Sequence, residues 1–218
     1  LKLHWSMTHS TTDIDAKHDG VFGISFYVLT ILDELLVVGL GTGILGRLGL
    51  RTILECHISL RYLLLKGDKD LWKKWRTYGA GQAKLNALRF DELMEPPKFI
   101  NIETIEAIAG EDLWEEFINI DLGSWSGSDL RKMSDKAGVK PAYDQHYSWT
   151  SGYSHGTWGA LRESCFETCA NPVHRLHRYP KQKPLPDTLH DACALVNEIL
   201  EDLSKSYPDF KIRLLGKK

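Results

Sequence analysis

Apolar residues recur every three to four positions along most of this chain, which is the spacing at which side chains share one face of an α-helix. The pattern begins near Val21, after a polar stretch, and predicts helices over residues 23–38, 44–66, 68–94, 102–117, 128–136, 141–168 and 188–207. No convincing strand pattern follows the first of these helices. The sequence therefore predicts an all-α bundle of about six to seven helices.

Residues typical of helix boundaries stand at the ends of these segments. Gly67 directly follows the second helix, in a place where many helices end in a left-handed residue. Asp68 is a capping residue for the third helix. Pro141 suits the first turn of the sixth helix, and Pro172 lies just beyond its end, which predicts a helix of about 28 residues.

Polar and proline-rich stretches suggest how the chain is organised. Residues 1–20 are predicted to be a flexible N-terminal segment, and residues 21–178 a helical bundle domain. Residues 179–187 are rich in proline and are expected to be a linker. Residues 188–218 contain an amphipathic helix, which predicts that the C-terminal segment packs on the bundle.

A literal G-x-G-x-x-G sequence runs from Gly41 to Gly46, and Asp68 lies at a plausible distance downstream. Such a motif binds a dinucleotide when it follows a strand of a parallel sheet. Helical periodicity after this point instead favours glycines that join two packed helices.

Length, charge and cysteine content narrow the possible functions. The 218 residues can bury a large core without disulfides, and the four cysteines favour a reducing cytoplasm. The 27 Lys and Arg residues are balanced by 29 Asp and Glu residues, so only a local basic groove could attract nucleic acid. Charged residues interrupt the longest apolar region, so neither a membrane span nor a membrane partner is expected.

The sequence R-T-I-L-E-C-H places three polar residues in one of the most apolar parts of the chain. Its spacing matches the R-x(4–6)-H signature of HEPN ribonucleases. In a straight helix, however, Arg51 and Glu55 share one face while His57 points roughly 120° away from Arg51. Arg51 and Glu55 could form an exposed ion pair or a buried functional pair. His57 suits a partly buried helix histidine or an alternative catalytic residue.

A second polar group lies on the predicted sixth helix. Its members form one narrow stripe at helical spacing: Asp144, Tyr147, Ser151, His155 and Arg162, with Trp158 among them. Glycines destabilise helices, so three of them on a neighbouring face suggest close approach by another helix or a ligand: Gly152, Gly156 and Gly159. The stripe is either a functional site or a hydrogen-bonded seam between helices.

Four potential zinc ligands follow the stripe: Cys165, Cys169, His174 and His177. The spacer between Cys169 and His174 is short, crosses Pro172 and matches no common zinc module. Neither a metal nor an organic cofactor is therefore expected.

Three short motifs occur in order along the chain. They are R-T-I-L-E from Arg51, W-S-G-S-D-L-R-K-M-S from Trp125 and Y-x3-S-x3-H-G from Tyr147. Over residues 31–162 the chain thereby resembles the bacterial domain of unknown function numbered five-six-seven-seven. The resemblance carries no established activity, but it implies that five residues belong together: Arg51, Glu55, Tyr147, Ser151 and His155.

That family is similar, in helical architecture and in pairing arginine with histidine, to HEPN domains of toxins and phage-defence proteins. The resemblance implies an HEPN-like up-and-down core. This chain departs from the usual HEPN pattern because its R-x(5)-H sequence lies early, whereas the usual motif lies on a late helix.

The resulting expectation is a metal-independent, HEPN-like ribonuclease or toxin domain of a bacterial defence or toxin-antitoxin system. RNA would be the substrate, and the chain would act in the cytoplasm as a homodimer or with a partner protein of the system. His155, or else His57, would be the base or acid, and Arg51 would stabilise the phosphorane charge. The alternative is a non-catalytic helical interaction module that binds a protein partner or a small effector.

Overall fold

The computed structural model describes residues 1–11, 14–110, 124–174 and 177–209. Within these ranges the chain forms nine α-helices and one two-stranded antiparallel sheet. The helices are α1 (Lys2–Thr8), α2 (Ala16–Val37), α3 (Ile44–Lys66), α4 (Lys69–Asp91), α5 (Ile102–Gly110), α6 (Leu130–Lys136), α7 (Lys140–Ser154), α8 (Trp158–Cys165) and α9 (Leu189–Ser206). The strands are β1 (Phe166–Thr168) and β2 (Arg178–Pro180), and a short 3-10 turn (Leu40–Thr42) joins α2 to α3.

Helix α3 is the centre of the bundle, since α2, α6, α7 and α9 all pack against it. Its apolar side chains Ile53, Leu54, Ile58 and Leu63 are fully buried. They meet apolar residues of α2 and α9 in one continuous core. This burial is the main stabilising contribution, because each fully buried side chain of this size contributes about 1.5–3 kcal/mol.

The predicted helical class is confirmed, and several boundaries agree closely. Helix α3 spans the predicted residues 44–66 and ends at Gly67, whose φ of +61° is left-handed. Asp68 caps α4, its carboxylate accepting a hydrogen bond from the Asp70 amide. The predicted helix 102–117 is observed as α5 up to Gly110, and the remainder lies outside the described residues. Within the predicted C-terminal segment, helix α9 packs on α2 and α3, and residues 210–218 lie outside the described residues.

Much of the segment 1–20, which was expected to be flexible and to contain a loop over residues 8–20, is helical. Helix α1 forms at residues 2–8, and α2 begins at Ala16 after the N-capping residue Asp15. His18 is 1% exposed because its ring packs between Phe22 and Tyr207. Because His18 is buried, α2 begins about one turn earlier than Val21, the residue at which the apolar pattern starts.

The prediction of one continuous helix over residues 141–168 is also wrong. Helix α7 ends at Ser154, and Gly156 turns the chain with a left-handed φ of +57° before α8 begins. Gly152 leaves room for this reversal, since a Cβ atom there would lie 2.8 Å from Thr157 Oγ1. The last predicted helical residues form β1, in which Phe166 pairs with Pro180 of β2. This division and the additional α1 explain why the described residues form nine helices where about six to seven were predicted.

The G-x-G-x-x-G sequence joins two packed helices, α2 and α3, as the alternative interpretation expected. The Gly41 carbonyl accepts hydrogen bonds from Arg47 Nη1 at 3.3 Å and Thr188 Oγ1 at 3.1 Å. A Cβ atom at Gly46 would lie 2.6 Å from that carbonyl oxygen. The glycines therefore permit a close backbone crossing beside the first turn of α9.

The proline-rich segment 179–187 is anchored to the bundle as well as connecting β2 to α9. The Leu185 amide donates to the Thr42 carbonyl at 2.8 Å, and the Leu185 side chain is 4% exposed.

Helix α2 is long and apolar enough to cross a membrane, by length and composition alone. Close to half of the relevant window is buried inside the protein, and core helices of soluble proteins show the same pattern.

We expect Gly46→Ala to lower the free energy of unfolding by about 1–3 kcal/mol, since the new methyl group meets backbone atoms. Gly23→Ala is the matched control, because Gly23 lies within α2 and has no atom within 4 Å of an added Cβ. That control should raise the free energy of unfolding by up to about 1 kcal/mol, the helix-propensity gain over glycine. Urea denaturation followed by circular dichroism measures both values. Equal stability of the two variants would contradict the close crossing at Gly46.

Candidate functional site

Arg51 lies on α3 where this helix faces α7, and its side chain is only 16% exposed. Its Nη2 atom is 2.9 Å from Glu55 Oε1 and donates a hydrogen bond to Tyr147 Oη at 3.2 Å. The guanidinium carbon also lies 4.5 Å from the centroid of the Tyr147 ring, within the range of a cation–π contact. Three of the five residues predicted to belong together therefore meet in one cluster.

Tyr143 supports this cluster from one helical turn earlier on α7. Its ring stacks on Tyr147 with 4.5 Å between centroids and an interplanar angle of 18°. Burial and the neighbouring Tyr147 raise the pKa of Tyr143. The stacked pair restricts the orientation of the Tyr147 ring, and hence the position of the Arg51 guanidinium.

The second terminal nitrogen of Arg51, Nη1, is buried and has no hydrogen-bond acceptor among the described residues. A guanidinium carries five N–H donors in a rigid fork that matches carboxylate and phosphate oxygens. An unpaired donor of a buried charged group is costly, so an acceptor from a ligand would be favourable here. The cluster is thus suited to binding an oxyanion.

Ser151 and His155 lie further along α7 than Tyr147. Ser151 is partly buried, and its carbonyl accepts a hydrogen bond from the His155 amide at 3.2 Å. His155 is exposed and caps the C-terminal end of α7. Eight residues of helix separate it from Tyr147, which corresponds to about 12 Å along the axis. Among the described contacts, none joins either side chain to Arg51.

His57 faces the opposite side of α3, as helix geometry predicted, and is fully buried against α9. Its Nε2 atom lies 3.2 Å from Glu198 Oε2, but the alignment is too poor for a hydrogen bond. Burial, together with the nearby Arg61 charge, lowers the pKa of His57 to about 4. The imidazole is therefore neutral at pH 7, and its ring is closed to solvent on a different face of α3 from Arg51.

A second polar cluster, which was not predicted from the sequence, lies one turn before Arg51 along α3. Arg47 is 5% exposed, and its guanidinium carbon is 5.7 Å from the centroid of Tyr153. The Tyr153 hydroxyl donates to Glu163, which also accepts from Trp149 Nε1 at 3.0 Å. Burial and the Glu163 hydrogen bond raise the pKa of Tyr153 to about 12, so the phenol keeps its proton.

The i,i+4 spacing of Arg47 and Arg51 was the available signal for this cluster, since it places both arginines on one face of α3. We call the two clusters together the arginine seam, which consists of Arg47, Arg51, Glu55, Tyr143, Tyr147, Trp149, Tyr153 and Glu163.

The break between α7 and α8 separates the ends of the predicted stripe. Asp144 forms an ion pair with Lys140 on the surface. Arg162 donates to the Phe166 carbonyl at 2.6 Å and to the Thr168 hydroxyl, and so joins α8 to β1.

Gly156 and Gly159 also belong to the α7–α8 region. Gly156 forms the turn itself, and a Cβ atom at Gly159 would lie 3.4 Å from the Trp149 ring. Trp158 is 62% exposed beside Phe166. Gly156 thus forms the turn between the two helices, and Gly159 allows the Trp149 ring to pack closely.

Two groups of described residues have the composition of a metal site. Cys169, His174 and His177 place one ligand atom each within 4.8 Å of one another, and so do His9, His18 and Asp19. Cys165, the other cysteine near the hairpin, contacts Ser164 instead. All four cysteines are free thiols.

Folding stability should depend on pH through His57. Its folded pKa of about 4 lies below the ordinary value of 6.5, so the unfolded chain binds the extra proton between these values. The contribution of the neutral His57 to the free energy of unfolding is fully present above about pH 6.5. It decreases as the pH is lowered toward 4, by up to about 1.4 kcal/mol per pH unit. Urea denaturation at several pH values should give a smaller slope for His57→Gln than for the natural sequence, by close to one proton. An unchanged slope would contradict the neutral, buried state of His57.

The contact between Arg51 and Tyr147 should be energetically coupled. In a double-mutant cycle with Arg51→Met and Tyr147→Leu, we expect a coupling of about 1 kcal/mol, since the cation–π contact is largely desolvated. Lys140→Met with Asp144→Asn is the matched control, because this i,i+4 pair lies on the surface and should couple by only about 0.3–0.5 kcal/mol. A coupling at Arg51 no larger than that of the control would show that the contact contributes little.

Comparison with known proteins finds a match to a family model. Residues 39–171 match the model described as "Family of unknown function (DUF5677)". The matched region runs from the turn before α3 to the hairpin and contains all five residues that the sequence motifs grouped. No curated protein and no solved structure matches the chain. Because the match covers more than half of its 218 residues, the chain belongs to this family of unknown function.

Proposed function

We propose that this chain is an HEPN-like, metal-independent ribonuclease or toxin domain of a bacterial defence or toxin-antitoxin system, and that the arginine seam holds its site. The observation that carries the proposal is the buried, unpaired Nη1 donor of Arg51 beside Tyr147. A fixed guanidinium with a spare donor suits the phosphate of an RNA backbone.

The reaction would be an internal transesterification of RNA. The 2′-hydroxyl loses its proton to a base and attacks the adjacent phosphorus, and the 5′-oxygen leaves with a proton from an acid. The products are a 2′,3′-cyclic phosphate and a free 5′-hydroxyl. Arg51 would stabilise the charge that develops on the phosphorane oxygens, which is the role of preorganised donors in such a step.

The other grouped residues would support this chemistry. Glu55 orients the Arg51 guanidinium through their ion pair of 2.9 Å. Tyr147 and Ser151 would donate hydrogen bonds to the phosphate from successive turns of α7. His155 would act as base or acid, because it is exposed at the end of the same helix and free to meet RNA. Catalytic contacts are often long in ligand-free proteins and tighten when the substrate binds.

A homodimer is part of the proposal. Large apolar side chains remain exposed where α2 ends and α3 begins: Leu36, Val37, Val38, Ile44 and Leu45. Several large apolar side chains exposed in one part of the chain are typical of a protein contact, and a second copy is the occupant we propose. Four free thiols are in keeping with action in a reducing cytoplasm.

A non-catalytic module that binds a protein partner or a small effector is the second candidate. It is favoured by the separation of His155 from Arg51, and by the fact that Arg51 is already engaged by Glu55 and Tyr147. In that case the arginine seam would be a hydrogen-bonded contact between helices, or would bind an anionic effector without cleaving it.

The decisive experiment is cleavage of single-stranded RNA in the presence of EDTA. We expect Arg51→Ala and His155→Ala to lower the cleavage rate by about a hundredfold or more, since each removes a charge-stabilising or proton-transfer group. Arg89→Ala and His190→Ala are matched controls, because both residues are exposed, on α4 and α9, and no described contact joins their side chains to the seam. The controls should cleave like the natural sequence.

Thermal melting of the same variants separates the two candidates. Retained melting temperatures with lost cleavage indicate a site, whereas strong destabilisation indicates a structural seam. Equal cleavage by all variants, or no cleavage by the natural sequence, would rule out the ribonuclease proposal.

A further inference from the structure

The β1–β2 hairpin brings a thiol and two imidazoles together just beyond the paired residues of its strands. One ligand atom from each of Cys169, His174 and His177 lies within 4.8 Å of the other two. Cys169 Sγ is 3.7 Å from His174 Nδ1, and the two imidazole rings are 5.6 Å apart between centroids. These residues lie outside the arginine seam and have no part in the proposed ribonuclease chemistry.

Backbone hydrogen bonds fix the positions of all three residues. The Cys169 amide donates to the His177 carbonyl at 3.0 Å, which continues the strand pairing of Thr168 with Arg178. The His177 amide donates to the His174 carbonyl at 2.9 Å. Hydrogen bonds of the backbone therefore hold the three residues close together, and their side chains need little rearrangement to converge.

We propose that Cys169, His174 and His177 bind one Zn²⁺ ion. Zinc prefers tetrahedral coordination by thiolate and imidazole, with bonds of about 2.3 Å to sulfur and 2.0–2.1 Å to nitrogen. Such bonds place neighbouring ligand atoms roughly 3.3–3.6 Å apart, close to the observed distance between Cys169 Sγ and His174 Nδ1. Water would occupy the fourth position, and the cysteine would bind as thiolate after releasing its proton to solvent.

The spacing of the ligands explains why the sequence predicted no metal here. Cys-x4-His-x2-His matches no common zinc module, and Pro172 interrupts the spacer. The antiparallel pairing of β1 with β2 overcomes this obstacle, because it sets Cys169 directly opposite His177. Both histidines are exposed, so an ion can enter from solvent.

The second group, at His9, His18 and Asp19, is less suited to zinc. His18 is buried among aromatic rings, and its Nε2 atom is already 2.9 Å from the Thr8 hydroxyl. That group also lacks a thiolate, the strongest of the zinc ligands available in this chain.

A bound ion would cross-link the two strands beyond the last backbone pair. It would thereby stabilise the hairpin that leads into the anchored segment around Leu185 and on to α9. Binding to the folded chain would raise the melting temperature in proportion to the logarithm of zinc concentration.

The test uses the full chain without an affinity tag, titrated with Zn²⁺ by calorimetry and with Co²⁺ by absorption spectroscopy. We expect one equivalent of Zn²⁺ with a dissociation constant below about 1 μM, and a thiolate-to-Co²⁺ charge-transfer band. Cys169→Ser should abolish that band, and Cys169→Ser, His174→Gln and His177→Gln should each weaken Zn²⁺ binding at least about tenfold. Cys165→Ser is the matched control, because this thiol lies at the end of α8, directly before the hairpin, and outside the group.

Circular dichroism of each variant checks that the helical bundle is intact, so that lost binding can be assigned to the ligands. Absence of binding by the natural chain would overturn the proposal. Binding that Cys169→Ser leaves unchanged would also overturn it, since the ion would then lie elsewhere. The Arg51→Ala variant should bind Zn²⁺ normally, so failure of the ribonuclease proposal would leave this one unaffected.

Discussion

The burial of α3 is the constraint on which the rest of the structure depends. This helix is covered by α2, α7 and α9, yet it carries three arginines and a histidine between its apolar residues. A charge removed from water is strongly unfavourable unless neighbouring groups compensate it. The elements around α3 therefore have to supply acidic, aromatic or carbonyl partners at defined positions, as well as apolar surface.

The buried polar groups on the two sides of α3 are compensated in different ways. Toward α7, Arg47 and Arg51 lie against tyrosine rings; Arg47 also donates to the Gly41 carbonyl, and Arg51 pairs with Glu55. Toward α9, Arg61 pairs with Asp202, a carboxylate that is 3% exposed and whose pKa is raised by its burial. His57 avoids the cost by remaining neutral. Both sides leave buried polar atoms without a hydrogen bond among the described residues: Arg51 Nη1 toward α7 and the two His57 ring nitrogens toward α9. The proposed oxyanion site lies on the α7 side.

Local signals predicted the fold where local interactions decide it. The bounds of α3 followed from its apolar repeat and from Gly67, because a left-handed glycine ends a helix whatever its surroundings. Prediction failed at residues 1–20, where His18 is helical because distant rings enclose it. It also failed after Ser154, since a glycine permits a reversal without requiring one. The hairpin was missed because strands of three residues are too short to show periodicity.

For the candidate site, too, the sequence determined the local arrangement and the tertiary structure determined the contacts between distant residues. By itself the sequence determined that Arg51 and Glu55 share a helical face and that His57 does not, because 3.6 residues per turn fix those directions. It also placed Tyr147, Ser151 and His155 in one motif. Only the tertiary structure decided that Tyr147 meets Arg51, that Arg47 joins Tyr153 and Glu163, and that Cys169 lies beside two histidines. Those contacts depend on which helix faces pack together and on where the chain reverses, and neither is encoded within a single local segment.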